Sequence, residues 1–495
     1  MRRAAALFLL GAQLLCAALP ESIQKLLDSS PAARTAFWGM QIVDLATGKT
    51  LYELNPDHYF VPASNVKLFS IALALTRLGA DFTFQTRVLA AAPPDEAGRI
   101  RGDLRLAGGG DPNLSARAVP YRMGPVTGNP LGAIEDLAAQ LVARGVKRVD
   151  GDIIGDDTWY VWQPYAVGWA VDDPQSDDGP PISALTLADN VLTLNVRPGA
   201  NSGDPAALSL LPAMEYYRIE NRVRTVAAGG ERRIRFERIP GSREARLWGA
   251  IPRRDRGEDL LIAVDDPAQW AAEALGTALE QRGVTVSGSA ISEHLYPDGF
   301  ADLTQAPEPP PPGGIELARR VSAPLIEDLR ITAKVSQNLH AELALRAVGR
   351  ARRHVGSFEA GMAEMSAFLG EAGIDPAGYR LMDGSGLSRL DLVTPSTVLK
   401  LLRYMYDSPA REKWISILPV GGQDGTLSSR FGATAAAGRV YAKTGSLSHV
   451  SALSGYVQRL DGTWVAFSVL VNNYGGPSAA EVRGVMDRIC NLILE

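Results

Sequence analysis

The sequence predicts an α/β sandwich interrupted by one large insert, which holds an α/β unit and, nested inside that, a β-rich module. Three observations carry this reading. Strand-like and helical runs stand together at both ends of the chain, Ser336 of a second serine motif follows Ser64 of the first by 272 positions, and β-branched alternation replaces helical periodicity between Pro181 and Pro252. A chain of 495 residues exceeds one typical core, so about two to four domains are expected.

The chain opens with Met1-Arg2-Arg3 and an apolar run from Ala4 to about Ala18, with the small residues Ala17 and Ala18 ahead of Glu21. This pattern predicts a secretory signal peptide over residues 1–18 and a secreted, periplasmic or cell-envelope protein. A transmembrane anchor is the weaker reading, because the run is shorter than the roughly 20 residues that cross a bilayer. Lipid attachment at Cys16 is disfavoured by Leu15 before it. Loss of the signal leaves Cys490 as the remaining cysteine, which rules out an intramolecular disulfide even where the compartment permits one. Peripheral membrane association stays open.

Ser22 to Arg34 reads as a short helix and Phe37 to Val43 as a strand, which Ala46-Thr47-Gly48-Lys49 turns into a second strand, Thr50 to Leu54. Pro62 precedes Ser64, after which Val66, Leu68, Phe69, Ile71, Ala72 and Leu75 recur at helical spacing. Ser64 is therefore expected in the first turn of a largely buried helix. At the far end, Arg439 to Lys443, Ala452 to Gln458 and Thr463 to Val471 read as strands, and Ala479 to Leu494 as a closing helix. The two ends, 19–85 and 313–495, are expected to form one domain with an antiparallel sheet faced by helices.

The intervening stretch is far longer than a connection needs. Leu137 to Val146 and Ala274 to Val284 are alike, each a helix closed by glycine, at Gly145 and Gly283, and followed by a strand. They are either two similar units of one α/β domain, 86–180 with 253–306, or a chance likeness of a common pattern. Between them, residues 181–252 include Val191-Leu192-Thr193-Leu194-Asn195-Val196 and Arg233-Ile234-Arg235-Phe236 and form the expected β-rich module. The proline run at 307–312 is the link back.

Composition excludes several functions. A formal charge of −5 without any basic block gives nucleic acid no footing. Histidines 58, 294, 340, 354 and 449 show no metal-ligand spacing, and neither a metal nor another cofactor is expected.

Three motifs carry chemistry: Ser64-Asn65-Val66-Lys67, Ser336-Gln337-Asn338 and Lys443-Thr444-Gly445-Ser446. The S-x-x-K pattern alone is weak, since Ser22-Ile23-Gln24-Lys25 matches it in a polar stretch. S-x-N and K-T-G each occur once and in the right order, and the ordered set is specific to serine acyl transfer without histidine. Serine must lose its proton as it attacks. Lys67, three positions on, shares a helix face with Ser64 and becomes a base if burial or a nearby cation such as Lys443 lowers its pKa. The chain has eight lysines against forty-two arginines, and arginine at these positions could not release a proton. The amides of Ser64 and Ser446 can form an oxyanion hole. Ser336 is expected to relay a proton to the leaving amine, Asn338 to hold Lys67 and the substrate amide, and Lys443 and Thr444 to face a carboxylate.

With these motifs the chain resembles the low-molecular-mass class C penicillin-binding proteins, the D-alanyl-D-alanine carboxypeptidase/endopeptidase family. Gly108-Gly109-Gly110-Asp111-Pro112, Asp383-Gly384-Ser385-Gly386-Leu387-Ser388-Arg389, Leu418-Pro419-Val420-Gly421-Gly422 and Asp424-Gly425-Thr426-Leu427 extend the likeness over nearly the whole mature chain. The resemblance implies a serine β-lactamase/penicillin-binding transpeptidase-like fold. It implies hydrolysis of terminal D-Ala–D-Ala and of D-alanyl cross-links in peptidoglycan through an acyl-enzyme on Ser64, with penicillins acylating the same serine. It also implies that Arg389 and, less directly, Asp157 contact the diamino acid of the stem peptide. Arg389 as a structural ion-pair partner is the competing reading. Trp159-Tyr160-Val161-Trp162-Gln163-Pro164-Tyr165 is expected to be a loop that either walls the cleft or packs between domains. Gln337 departs from the Asp or Asn of many relatives, and its side chain is expected to matter little for chemistry. A β-lactamase or esterase, and a silent peptidoglycan-binding scaffold, are the alternatives; intact Ser64, Lys67 and Lys443 argue against the scaffold.

Overall fold

The computed structural model describes residues 19–239, 241–299, 302–308 and 313–494. The signal-peptide reading over 1–18 and Pro309 to Pro312 of the proline run lie outside these residues. A helix over 19–29 comes first. A new one, Pro31–Thr35, begins where Ser30 caps Ala33 N at 3.2 Å. The single helix expected from Ser22 to Arg34 is broken there because the residue before proline is pushed out of the helical region and serine is a good N-cap. Strands β1 (Phe37–Asp44) and β2 (Thr50–Leu54) pair as a hairpin. A 3-10 turn, Ala63–Asn65, leads into helix α1 (Val66–Arg77).

The chain then leaves for the insert. Its main sheet contains β3 (Gln85–Ala90), β4 (Leu104–Ala107), β5 (Ile153–Val161), β6 (Ala290–Leu295) and β7 (Ile315–Val321), in the order β6-β5-β4-β3-β7. β5 is parallel to both neighbours, while β3 is antiparallel to β4 and β7. The two look-alike helices are Gly132–Ala143 and Pro267–Glu280. Each is followed by a glycine in the left-handed region, Gly145 and Gly283, and by a short strand. Those strands, Arg148–Val149 and Thr285–Val286, pair in parallel.

Two boundaries read from composition move. Glu258–Ala263, placed by sequence in the α/β unit, is hydrogen-bonded antiparallel to Val191–Arg197 and belongs with the nested sheets. β7, placed by sequence in the first domain, completes the insert's sheet against β3. Sheet partnership, which follows from long-range pairing, overrides the local composition on which the boundaries were drawn.

After β7 come α2 (Leu325–Lys334) and α3 (Asn338–Arg353), and further on β8 (Val440–Leu447), β9 (Val450–Gln458), β10 (Trp464–Asn472) and α4 (Ala479–Leu494). The first sheet runs β8-β9-β10-β1-β2, antiparallel throughout, so the chain's two ends share it. α4 and the N-terminal helices cover one face, around Met40, Val469 and Ile489. The other face meets α1, whose residues Val66 to Leu75 are all buried. A helix buried all round over this stretch, apolar there apart from Lys67 and Ser70, belongs at the centre of a packed layer, and Leu329, Leu343 and Leu402 from neighbouring helices complete this core. Burial of α1 fixes the Ser64 end of the helix against β8.

Candidate active site

Ser64 occupies the 3-10 turn that enters α1, preceded by Ala63 at φ 48°. A non-glycine residue in the left-handed region marks a backbone held there by its surroundings. Two glycines make room for it. A Cβ on Gly386 would stand 1.9 Å from the Ala63 carbonyl oxygen, and one on Gly445 would stand 2.7 Å from that of Pro62 and 3.1 Å from Ser64 N. The missing side chain at 445 lets β8 lie directly beside the serine, and Asn65 Nδ2 ties the two elements by donating to the Lys443 carbonyl at 3.0 Å.

Lys67 Nζ lies 2.9 Å from Ser64 Oγ, 2.5 Å from Asn338 Oδ1 and 2.6 Å from the Ser385 carbonyl oxygen. Asn338 Nδ2 donates to the Asp178 carbonyl at 2.7 Å, which orients the amide. Both Asn338 Oδ1 and the Ser385 carbonyl only accept hydrogen bonds. A neutral amine satisfies them with its two N–H groups and turns its lone pair toward the Ser64 hydroxyl. Burial lowers the Lys67 pKa to about 8, against the opposing pull of Asp383 and Glu342. Lys443, also buried, is held well below its usual range by burial and by the neighbouring Lys67. Its Nζ donates to Ser336 Oγ and to the Thr444 carbonyl, each at 2.8 Å.

Ser336 has φ 63°, and its loop is pinned from behind. Lys334, at the end of α2, donates to the Leu418 carbonyl at 2.6 Å and to both Asp424 oxygens at 2.8 and 2.6 Å. The Asp424 loop in turn presents Thr426, whose Oγ1 is 2.9 Å from that of Thr444 on β8. The Asp383 segment is a second cradle: its carboxylate accepts from the amides of Ser385, Gly386 and Ser388, which aims the Ser385 carbonyl at Lys67.

The structure thus gathers Ser64, Lys67, Ser336, Asn338, Lys443, Thr444 and Gly445. Ser446 is exposed on the same strand. Arg389 stands exposed at the rim, with Nη1 3.3 Å from the Ser448 carbonyl. Asp157 is a correction. It is 1% exposed, with one oxygen 2.8 Å from Ser183 Oγ and the other 2.8 Å from His294 Nδ1. The alternation of β5 turns it into the insert's interior, so it offers no carboxylate to a ligand. The aromatic segment is strand through Val161 rather than loop; Tyr160 is buried, Arg350 covers Trp159, and Trp162 stacks on His294.

Sequence reasoning missed the carbonyls of Ser385 and Asp178 and the Thr426 hydroxyl. The first two act through backbone, which leaves no side-chain signature. The Asp-Gly-Ser-Gly and Asp-Gly-Thr-Leu segments were the available signal. Insert residues also reach the site: Ser388 Oγ donates to the Val167 carbonyl at 2.8 Å, and Trp169 Nε1 to Asp383 at 3.0 Å.

A serine hydroxyl one turn from a buried lysine, faced by a second lysine on an antiparallel sheet, defines the class of serine penicillin-binding enzymes. The chain belongs to the D-Ala-D-Ala carboxypeptidase 3 (S13) family, whose model matches residues 19–492, and is a hydrolase of that type. It is 37% identical over 476 residues to the D-alanyl-D-alanine carboxypeptidase of Actinomadura sp. (strain R39), covering 94% of this chain and 83% of the relative. It is 31% identical over 459 residues to carboxypeptidase DacB of Mycolicibacterium smegmatis, covering 91% and 80%. The fold superposes on the crystal structure of penicillin binding protein 4 from Haemophilus influenzae with a TM-score of 0.80, 24% identity and coverage of 96% and 99%.

Proposed function

We propose that this enzyme hydrolyses the terminal D-Ala–D-Ala bond of peptidoglycan stem peptides, and D-alanyl cross-links, through an acyl-enzyme on Ser64. The observation that carries the proposal is the position of Lys67 Nζ, 2.9 Å from Ser64 Oγ with two acceptors filling its remaining directions. As Oγ attacks the penultimate D-Ala carbonyl carbon, neutral Lys67 takes its proton. The carbonyl oxygen becomes an oxyanion between the amides of Ser64 and Ser446. Collapse breaks the peptide C–N bond, and the proton that Lys67 took from Ser64 passes to the leaving amine through the Ser336 hydroxyl, which Lys443 holds at 2.8 Å, so that Lys67 is neutral again for the second step. Water then cleaves the ester, regenerating Ser64 and releasing the shortened stem.

Lys443 and Thr444 face the terminal carboxylate, and Asn338 faces the substrate amide. The exposed Arg389 guanidinium at the rim supports its role as an anion contact for the stem. A structure of the Haemophilus influenzae relative complexed with a β-lactam supports binding of β-lactams by this enzyme, and Ser64 is the nucleophile that penicillins would acylate. Peptidoglycan as substrate places the enzyme in the cell envelope. Among the described residues no helix is long and apolar enough to cross a membrane.

Intact mass after incubation with benzylpenicillin, run beside Ser64→Ala, tests the proposal. A one-to-one adduct that persists in the parent protein and is missing in the variant is expected. Rapid drug hydrolysis without a lasting adduct would reassign the enzyme as a β-lactamase, and neither adduct nor turnover would refute the catalytic role of Ser64.

A further inference from the structure

Behind the Ser336-Gln337-Asn338 segment lies a polar cluster that the reaction does not use directly. Its centre is Asp189, from the insert. Asp189 Oδ2 accepts from Arg117 Nε at 2.7 Å, from Arg117 Nη2, and from Gln337 Nε2 at 3.3 Å. Its Oδ1 lies 3.2 Å from His340 Nε2. His340 is fully buried, and its other nitrogen stands 2.7 Å from Asp328, which also accepts from Asn113.

The backbone that presents Asp189 is unusual. Ala188, Asp189 and Asn190 have φ of 46°, 56° and 57°, three successive non-glycine residues in the left-handed region. Such a conformation persists only where surroundings over-determine it. Here Ala188 N donates to the Leu114 carbonyl at 2.8 Å, Asn190 Nδ2 to that of Pro181 at 2.9 Å, and Val264 N to that of Asn190 at 3.0 Å. The insert therefore holds a strained turn in place, and Asp189 is the side chain that the turn delivers to the neighbouring domain.

Gln337 receives it. Its Oε1 caps α3 by accepting from Leu339 N at 2.9 Å, while its Nε2 donates to Asp189. A glutamine satisfies an N–H and a carboxylate at once, whereas an aspartate at 337 would place like charges together. Gln337 stands between Ser336, which meets Lys443, and Asn338, which meets Lys67. We propose that Asp189 is a positioning residue for acyl transfer, by which the insert sets the register of the S-x-N segment against the two lysines.

The inference rests on the roles assigned above to Ser336 and Asn338, and the experiment separates the two readings. Benzylpenicillin acylation is followed by stopped flow, and hydrolysis of a D-Ala-D-Ala-ended peptide is resolved into kcat and KM. Wild type that fails to acylate refutes the reading of Ser64. Given acylation, Asp189→Asn is expected to slow it about 10- to 100-fold, the loss lying in kcat with KM little changed, as for a sub-ångström misplacement of reacting groups. Gln337→Glu keeps the cap acceptor, loses the donor to Asp189, and is expected to move in the same direction. Asp328→Asn disturbs His340 without touching Gln337 and is expected to lower the melting temperature with the acylation rate retained. A wild-type rate in Asp189→Asn, or an equal loss in Asp328→Asn, overturns the proposal. Should Asp189→Asn fail to fold, a wild-type rate in Gln337→Glu overturns it.

Discussion

Lys67 Nζ and Ser64 Oγ stand 2.9 Å apart, and the two other partners of that nitrogen, Asn338 Oδ1 and the Ser385 carbonyl, can only accept. The amine is thereby set to face the serine with its lone pair whenever it is neutral. Acylation by benzylpenicillin is accordingly expected to rise with pH and to reach half its maximum near about 8, where Lys67 releases its proton. A rate independent of pH from 6 to 9.5 would contradict the assignment of Lys67 as base, the window being chosen to bracket about 8.

Lys67→Arg keeps positive charge but removes any neutral form at accessible pH. We expect it to lose about 10²- to 10⁴-fold in acylation, the usual contribution of a positioned base, with its circular dichroism unchanged. Single-turnover acylation of purified variant and parent decides it.

Gly386 sits at φ 81°, and a Cβ there would meet the Ala63 carbonyl oxygen at 1.9 Å and its carbon at 2.4 Å. Backbone, not a flexible side chain, is what it would strike. Gly386→Ala is expected to destabilise the protein by about 2–4 kcal/mol and to slow acylation by displacing Ser64. Urea unfolding together with acylation kinetics measures both, and a stable, fully active variant would show that the loop can yield.

Lys334 has a side chain 4% exposed and is paired with Asp424. Asp424→Ala leaves a buried ammonium without its partner, at a cost of about 3–5 kcal/mol. Lys334→Met substitutes an apolar side chain of similar length and is expected to be the milder change in thermal denaturation. The reverse order would mean that Asp424 is dispensable to the fold.

His294 lies between Asp157 and Asp266, and His340 between Asp328 and Asp189. Burial alone would lower both pKa values, yet the paired carboxylates raise each to about 9. Groups raised from an unfolded value of about 6.5 contribute stability that is complete below that pH and is lost as pH climbs through about 9. The melting temperature is expected to fall across this interval, and His294→Gln to flatten the fall. A melting temperature constant through the same interval would show that neither histidine is charged in the fold.

The sequence by itself determined the family, the motif residues and the outline. Ser64, Lys67, Ser336, Asn338 and Lys443 were legible because acyl transfer demands those side chains in short, ordered motifs, and α1 was legible because apolar residues recur at a helical period around it. The shared sheet of the two chain ends followed from strands near each terminus. Tertiary structure alone decided which strands the insert kept: Glu258–Ala263 and β7 found partners far along the chain, and pairing across such distances leaves no local pattern. It also turned Asp157 inward onto His294, since the face of β5 on which a residue falls depends on what packs there. The Ser385 carbonyl reaches Lys67 as a backbone group, and the Asp189 carboxylate reaches Gln337 from a strained turn. Neither placement follows from residue type alone, because what matters in each is also direction, and direction is fixed only when the domains have folded around it.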